Sequence, residues 1–224
     1  MIRRTKFWKR VICALLLSLT LVGVSTATVK AEPTKRYELS ETMVNRKEVR
    51  GKILLDLPHQ DTAQDNGASY GGVTERELAE SISLKVKTIL EQNGVEVVLT
   101  REQGQSMGLG DRIYKANNMG SYDYYISLHI NSCARENTGT GVEGYSVGAW
   151  SLTNNILKGL SNEFGYLNRG LYYSPYYNSQ IKQKSTLIEL GFINNEYDRG
   201  NLMNRQDAYA RVIADGILNT LEAR

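Results

Sequence analysis

Imidazole is scarce in this chain: among its 224 residues only His59 and His129 carry one. Each stands just beyond a short apolar run, 53–55 in the first case and 124–128 in the second. In α/β sheets the carboxyl ends of strands are where ligands and catalytic groups collect. A lone histidine is more often a satisfied structural residue, but two in equivalent positions point to shared metal chemistry. A catalytic zinc (Zn2+) needs three protein ligands, commonly two imidazoles and a carboxylate, with one position left for water. Glu75 is the natural third ligand, since it opens a helix beside Thr74. It reads equally well as the first-turn acid that complements a helix dipole. Glu189 interrupts the apolar stretch formed by Leu187, Ile188, Leu190, Gly191, Phe192 and Ile193. An ionised carboxylate in such surroundings calls for a cation or a raised pKa. Hydrolysis uses such a group: zinc lowers the pKa of water toward about 7, and the carboxylate takes and returns the proton.

The elements that must position these groups are legible from periodicity. Residues 53–55 and 95–99 read as short strands, the second following the turn at Asn93 and Gly94. Between them Thr74 and Glu77 form a capping box, and Leu78, Ile82, Val86, Ile89 and Leu90 follow at helical spacing. A second helix is expected over 111–118, strands at 124–128, 142–147 and 186–190, and a helix at 151–164. A final helix carries Tyr209, Val212, Ile213, Gly216, Ile217 and Leu221. Alternating strands and helices favour a single α/β domain built on an open, mostly parallel twisted sheet with helices on both faces. There is no internal repeat, which argues against a solenoid or a binding-repeat array.

The basic N-terminus (Arg3, Arg4, Lys6, Lys9, Arg10), the apolar run 11–24 and the small residues ending at Ala31 read as a secretory signal peptide over 1–31. Cleavage is expected after Ala31; an uncleaved anchor is the alternative. Residues 32–50 read as a polar leader or tether, and 51–224 as the catalytic domain. The whole chain has 27 Lys+Arg against 24 Asp+Glu, but residues 1–31 hold six of the basic residues and no acidic one. The remainder is therefore acidic by three charges, which removes the case for a nucleic-acid partner. With Cys13 in the signal, only Cys133 remains, so no intramolecular disulfide is expected and the core must supply stability.

An ordered set of blocks runs from about Gly51 to the C-terminus: Asp56 to His59; Asp65, Asn66, Gly67, Ala68; Glu75 opening a helix; Val97 to Arg101; Leu109, Arg112, Ala116, Asn117; Ile126 to Asn131; Arg169, Gly170; and Leu187 to Asn195. In these the chain resembles the zinc-dependent N-acetylmuramoyl-L-alanine amidases of bacterial cell walls. The resemblance implies zinc held by His59, Glu75 and His129, with Glu189 as general base and acid. The substrate it implies is peptidoglycan, cut at the amide between the lactyl group of N-acetylmuramic acid and L-alanine. One stretch departs from the family: glycines usually flank the first histidine, whereas here Leu57 and Pro58 precede it and Gln60 and Asp61 follow. Proline fixes its own φ and restricts Leu57, so the turn that aims His59 must be built differently.

Lesser signals complete the reading. Asp56 is a candidate to orient His59 by hydrogen bonding, as carboxylates often do for ligating imidazoles, or else a loop cap. Asn131 and Arg169 are candidates to bind substrate, the arginine fork suiting an acidic stem peptide. The tyrosines at 172, 173, 176 and 177 offer either a sugar-stacking surface or a half-buried strand and turn. Cys133 is weighed as a ligand but reads better as a small buried group. Gly104, Gly108 and Gly110 suit a mobile surface loop. No obligate protein partner is indicated, and a monomer is expected. Two other functions fit the same residues: a peptidase acting further along the stem, and a non-catalytic wall-binding protein that retains the zinc pocket.

Overall fold

The computed structural model describes residues 51–60 and 65–224, and the expected signal (1–31) and leader (32–50) lie outside the described residues. Strand β1 (Gly51–Asp56) is followed by a small hairpin, β2 (Ser69–Tyr70) and β3 (Val73–Thr74), which leads into helix α1 (Glu75–Gln92). Next come β4 (Val95–Leu99), α2 (Leu109–Asn118), β5 (Tyr124–Asn131), β6 (Val142–Val147), α3 (Trp150–Phe164) and β7 (Asn168–Tyr173). A 3-10 turn (Tyr177–Gln180), β8 (Ser185–Phe192), α4 (Glu196–Asn204) and α5 (Gln206–Glu222) complete the chain.

The large sheet has the order β4-β1-β5-β8-β6-β7. Its pairings are parallel except β6 against β8, which is antiparallel. One face carries the main core: Ile53, Leu55 and Ile126 of the strands pack with Leu78, Ile82 and Val86 of α1, Ile156 of α3 and Ile213 of α5. On the other face Leu54 and Tyr125 pack with Ala116 and Ile113 of α2 and with Tyr177. The expected doubly covered, mostly parallel sheet is therefore present.

Helix α1 starts where the sequence places it. The Thr74 side chain accepts from the Glu77 amide while Glu77 accepts from the Thr74 amide, so two orphan donors are satisfied at once. Its stop also fits, with Gly94 at φ 77°. Helix α2 begins at Leu109, so Gly108 is its N-cap and Gly110 lies within it, which corrects the loop reading for those two glycines. Strand β5 runs on to Asn131, three residues beyond expectation, so His129 is paired in the sheet opposite Glu189.

Candidate functional site

His59 leaves the end of β1 in a left-handed turn, at φ 60°. For a side chain with a Cβ this costs about 1–2 kcal/mol, where glycine would cost almost nothing. The surroundings hold the turn in place. The fully buried Arg101 donates from Nε to the Leu57 carbonyl (3.0 Å) and from one terminal nitrogen to the Pro58 carbonyl (3.2 Å). Its other terminal nitrogen is 2.5 Å from Glu80 Oε2 on α1. The Leu57 amide donates to Thr100 Oγ1, and the Gln60 amide to the Asp65 carbonyl. A buried arginine clamp thus holds the turn. Arg101→Leu is expected to lower stability by about 3–5 kcal/mol, because it strands the buried Glu80 carboxylate and releases two carbonyls. Urea unfolding of the purified protein reads this directly.

Glu75 is delivered by the N-terminus of α1 and fixed from two sides. Its Oε2 accepts from the Ala68 amide (2.9 Å), and its Oε1 accepts from the Ile130 amide (3.1 Å). Gly67, at φ 68°, makes room for it: a Cβ there would lie 2.5 Å from Glu75 Oε2. His59 Nε2 is 3.0 Å and His129 Nδ1 is 2.9 Å from the same Oε1. The two rings meet edge to face at 5.1 Å between centroids. Among the described residues this trio is the one group of His, Cys, Asp and Glu side chains whose donor atoms approach closely enough to share an ion, all within 4.8 Å of one another. The donor set also fits a borderline cation. Two imidazole nitrogens and a carboxylate oxygen converge, and the buried His59 Nε2 makes no hydrogen bond there. Burial works against charge on Glu75, but the two imidazoles outweigh it and hold its carboxyl well below the usual range.

The orienting contacts correct one expectation. His59 Nδ1 is hydrogen-bonded to Asp65 Oδ1 at 2.7 Å, not to Asp56. Asp56 is committed elsewhere, fully buried at the end of β1. It accepts from Thr100 Oγ1 (2.8 Å), Arg112 (2.6 Å), Ser127 Oγ (2.8 Å) and the Tyr177 hydroxyl (2.8 Å). Tyr177 in turn stands 3.1 Å from His129 Nε2. Asp56 therefore supports the second histidine through a tyrosine, whereas Asp65 meets the first.

Burial alone would raise the Asp56 pKa, but Arg112 and the three hydroxyls reverse the sign and leave it lowered. A carboxylate held below its unfolded value adds stability above that value and loses it as pH falls through the folded pKa. Asp56→Asn is accordingly expected to cost a constant amount of stability above about pH 5, a cost that shrinks below about pH 4. Urea unfolding of both proteins between pH 3 and 7 measures it.

Glu189 faces the trio from the neighbouring strand, paired in register with His129 on one side and Glu143 on the other. Its Oε2 is buried without a hydrogen-bond partner among the described residues. Burial first, and the Glu75 and Glu143 carboxylates second, push its carboxyl well above the usual range. Asn131 and Arg169 both reach Glu143, the amide at 2.6 Å and the guanidinium Nε at 2.9 Å. Neither is among the three converging side chains, and of the two only Asn131 lines the cleft over them. A cleft of about 270 Å³ opens over His59, Glu75, His129 and Glu189, with Tyr176 and Tyr177 on its wall. Cys133 lies outside the trio, its sulfur against the Arg135 carbonyl (2.9 Å) and Thr138 (3.3 Å).

Asp65, Arg101, Tyr177 and Glu143 have roles that the sequence reading did not assign. Asp65 and Arg101 belong to blocks that carry the family resemblance; Tyr177 meets Asp56 across 121 residues, a contact no local pattern announces.

The family described as N-acetylmuramoyl-L-alanine amidase matches residues 53–219. The sporulation-specific N-acetylmuramoyl-L-alanine amidase of Bacillus subtilis (strain 168) is 32% identical over 179 residues, covering 76% of this chain and 67% of the relative. The amidase CwlM of Bacillus licheniformis is 31% identical over 182 residues, covering 76% and 67%. Among solved structures, the amidase AmiC2 of Nostoc punctiforme superposes with a TM-score of 0.70 at 28% identity, over 76% of this chain and 97% of that one.

Proposed function

This chain belongs to the N-acetylmuramoyl-L-alanine amidase family, and from that premise we propose that it is a zinc-dependent hydrolase of the amide joining N-acetylmuramic acid to L-alanine in peptidoglycan. The observation that carries the reading is the convergence of His59, Glu75 and His129 on one point, with the unpartnered Glu189 carboxyl beside it. Those three side chains are suited to hold zinc, which when bound would polarise the scissile carbonyl and acidify water.

The chain's own residues do the rest. Glu189 takes a proton from the attacking water as its oxygen adds to the lactyl carbonyl carbon. It then passes that proton to the amide nitrogen as the C–N bond breaks, leaving a carboxylic acid on the muramoyl side and a free amine on L-alanine. Burial raises the Glu189 pKa, which makes its carboxylate a stronger base toward water, and the proton it gains is the one the leaving amine receives. Asp65 and Tyr177 hold the two imidazoles in orientation. Arg169 and Asn131, which both bond Glu143, are the side chains we assign to the acidic stem peptide. Such a substrate lies outside the cytoplasmic membrane, which agrees with residues 1–31 acting as an export signal.

Digestion of purified peptidoglycan, followed by mass spectrometry of the soluble products, tests the reading. Free N-terminal L-alanine is the expected new terminus. Cleavage inside the stem would instead identify a peptidase, and tight binding without released fragments would identify a wall-binding protein.

A further inference from the structure

Beyond the cleft, which Asn131, Tyr176, Leu187 and Glu189 line, the sheet surface toward β7 is not uniform. On β8, Leu187 and Glu189 project from the same face, two residues apart. Glu189 is paired with Glu143, which gathers Arg169 and Asn131. Leu187 is paired with Tyr145, and Tyr145 with Tyr172 of β7, the outermost strand. Tyr176 packs edge to face on Tyr145 at 4.7 Å, and Tyr172 lies 5.8 Å from Tyr145 at an interplanar angle of 33°. Glu189 thus stands beside a cluster in which Glu143 pairs the Arg169 charge, and two residues along β8 Leu187 leads to an aromatic cluster.

The aromatic end is built to keep its shape. The Tyr145 hydroxyl donates to Glu143 and the Tyr172 hydroxyl to the Arg169 carbonyl (2.6 Å). Yet Tyr172 and Tyr176 remain 47% and 45% exposed. Large apolar faces left open, with their polar tips already occupied, suit a ligand that has both C–H faces and a wet rim, as a pyranose does. Tyrosine side chains also have few torsions to freeze on binding.

We propose that Tyr145, Tyr172 and Tyr176 form a saccharide platform that receives the glycan strand of peptidoglycan, so that substrate lies with its sugars over the tyrosines and its stem peptide toward Arg169. This rests on the amidase reading, in which a sugar ring must sit within a few bonds of the scissile carbonyl. Arg169 gives its Nε to Glu143, and its terminal nitrogens are left to hydrogen-bond the carboxylates that only the peptide side of the amide carries.

The test uses the zinc-loaded Glu189→Gln protein, titrated by calorimetry with a β-1,4-linked N-acetylglucosamine tetramer and, separately, with an L-alanyl-γ-D-glutamyl stem tripeptide. Tyr172→Ala with Tyr176→Ala is expected to weaken tetramer binding about fivefold or more and leave tripeptide binding unchanged. Arg169→Ala is expected to do the reverse. In the Glu189 enzyme the tyrosine pair should raise KM on glycan-linked substrate while kcat stays within about twofold. Tetramer affinity that ignores the tyrosines, or that falls with Arg169→Ala instead, overturns the platform. Failure of the parent enzyme to release N-terminal L-alanine would overturn the amidase reading alone, since glycan binding is read without turnover.

Discussion

Glu189→Gln is expected to lower kcat on peptidoglycan by about 10²–10⁴ while zinc content stays near one equivalent. The amide keeps the shape of the carboxyl but can neither accept the water's proton nor return it to the leaving nitrogen. Metal retention follows from geometry, since Glu189 is not among the three side chains that share a focal point. A second consequence follows from the burial of the same carboxyl. A carboxyl whose folded pKa is raised binds more protons folded than unfolded, so its contribution to stability falls as pH rises above the unfolded value near 4.3. Metal-free Glu189→Gln should therefore be more stable than the metal-free parent at pH 7, and equal to it below about pH 4. Urea unfolding and a release assay on the same preparations check both statements.

Chelation is expected to abolish turnover, and stoichiometric zinc to restore it. A ligand present at a hundred times its Kd stabilises the folded state by about 2.7 kcal/mol, so removing it should lower Tm by roughly 5–10 °C. The sign is set by the trio itself. Without a cation, two ring nitrogens and two backbone amides crowd the one Glu75 carboxylate, and His59 Nε2 is left buried without a hydrogen bond, so an ion at that point adds bonds that the empty site lacks. The fold should survive the loss, because the core on both sheet faces is built without any of the three ligands. Scanning calorimetry before and after dialysis against chelator, with activity measured alongside, reads both effects.

Much of this architecture is written locally. Strands β1 and β4 and the Thr74 cap of α1 follow from short apolar runs and a capping pair, signals that need no knowledge of the rest of the chain. The end of β5 was hidden because His129 and Asn131 are polar: a strand that carries a functional side chain breaks its own hydrophobic pattern. Strand β7 was hidden because, at the sheet edge, its burial shows no alternation. Helix α4 buries only Asp198 and Leu202, too little for a periodic stripe, and starts from an Asn195 cap. The reversed direction of β6 did have a trace. Residues 132–141 are ten in number and glycine-containing, too short for the helical crossover that a parallel return requires.

The same distinction runs through the site. His59, Glu75, His129 and Glu189 stand out by type and position, so they could be named before any fold was known. Their support could not. Whether Asp56 or Asp65 faces His59 depends on where the loop after β1 folds back, and the answer is Asp65. The arginine that holds the Leu57–Pro58 turn lies 42 residues from His59 in sequence, and it meets that turn only because β4 lies beside β1.

The most direct measurement is anomalous diffraction at the zinc edge from crystals of the protein purified without chelator. The account predicts one peak, about 2.1 Å from a ring nitrogen of His59, a ring nitrogen of His129 and an oxygen of Glu75, with Glu189 nearby but not coordinating. Enzyme that releases N-terminal L-alanine from peptidoglycan at full rate with no metal at that point, or with its ion on Cys133 instead, would contradict it.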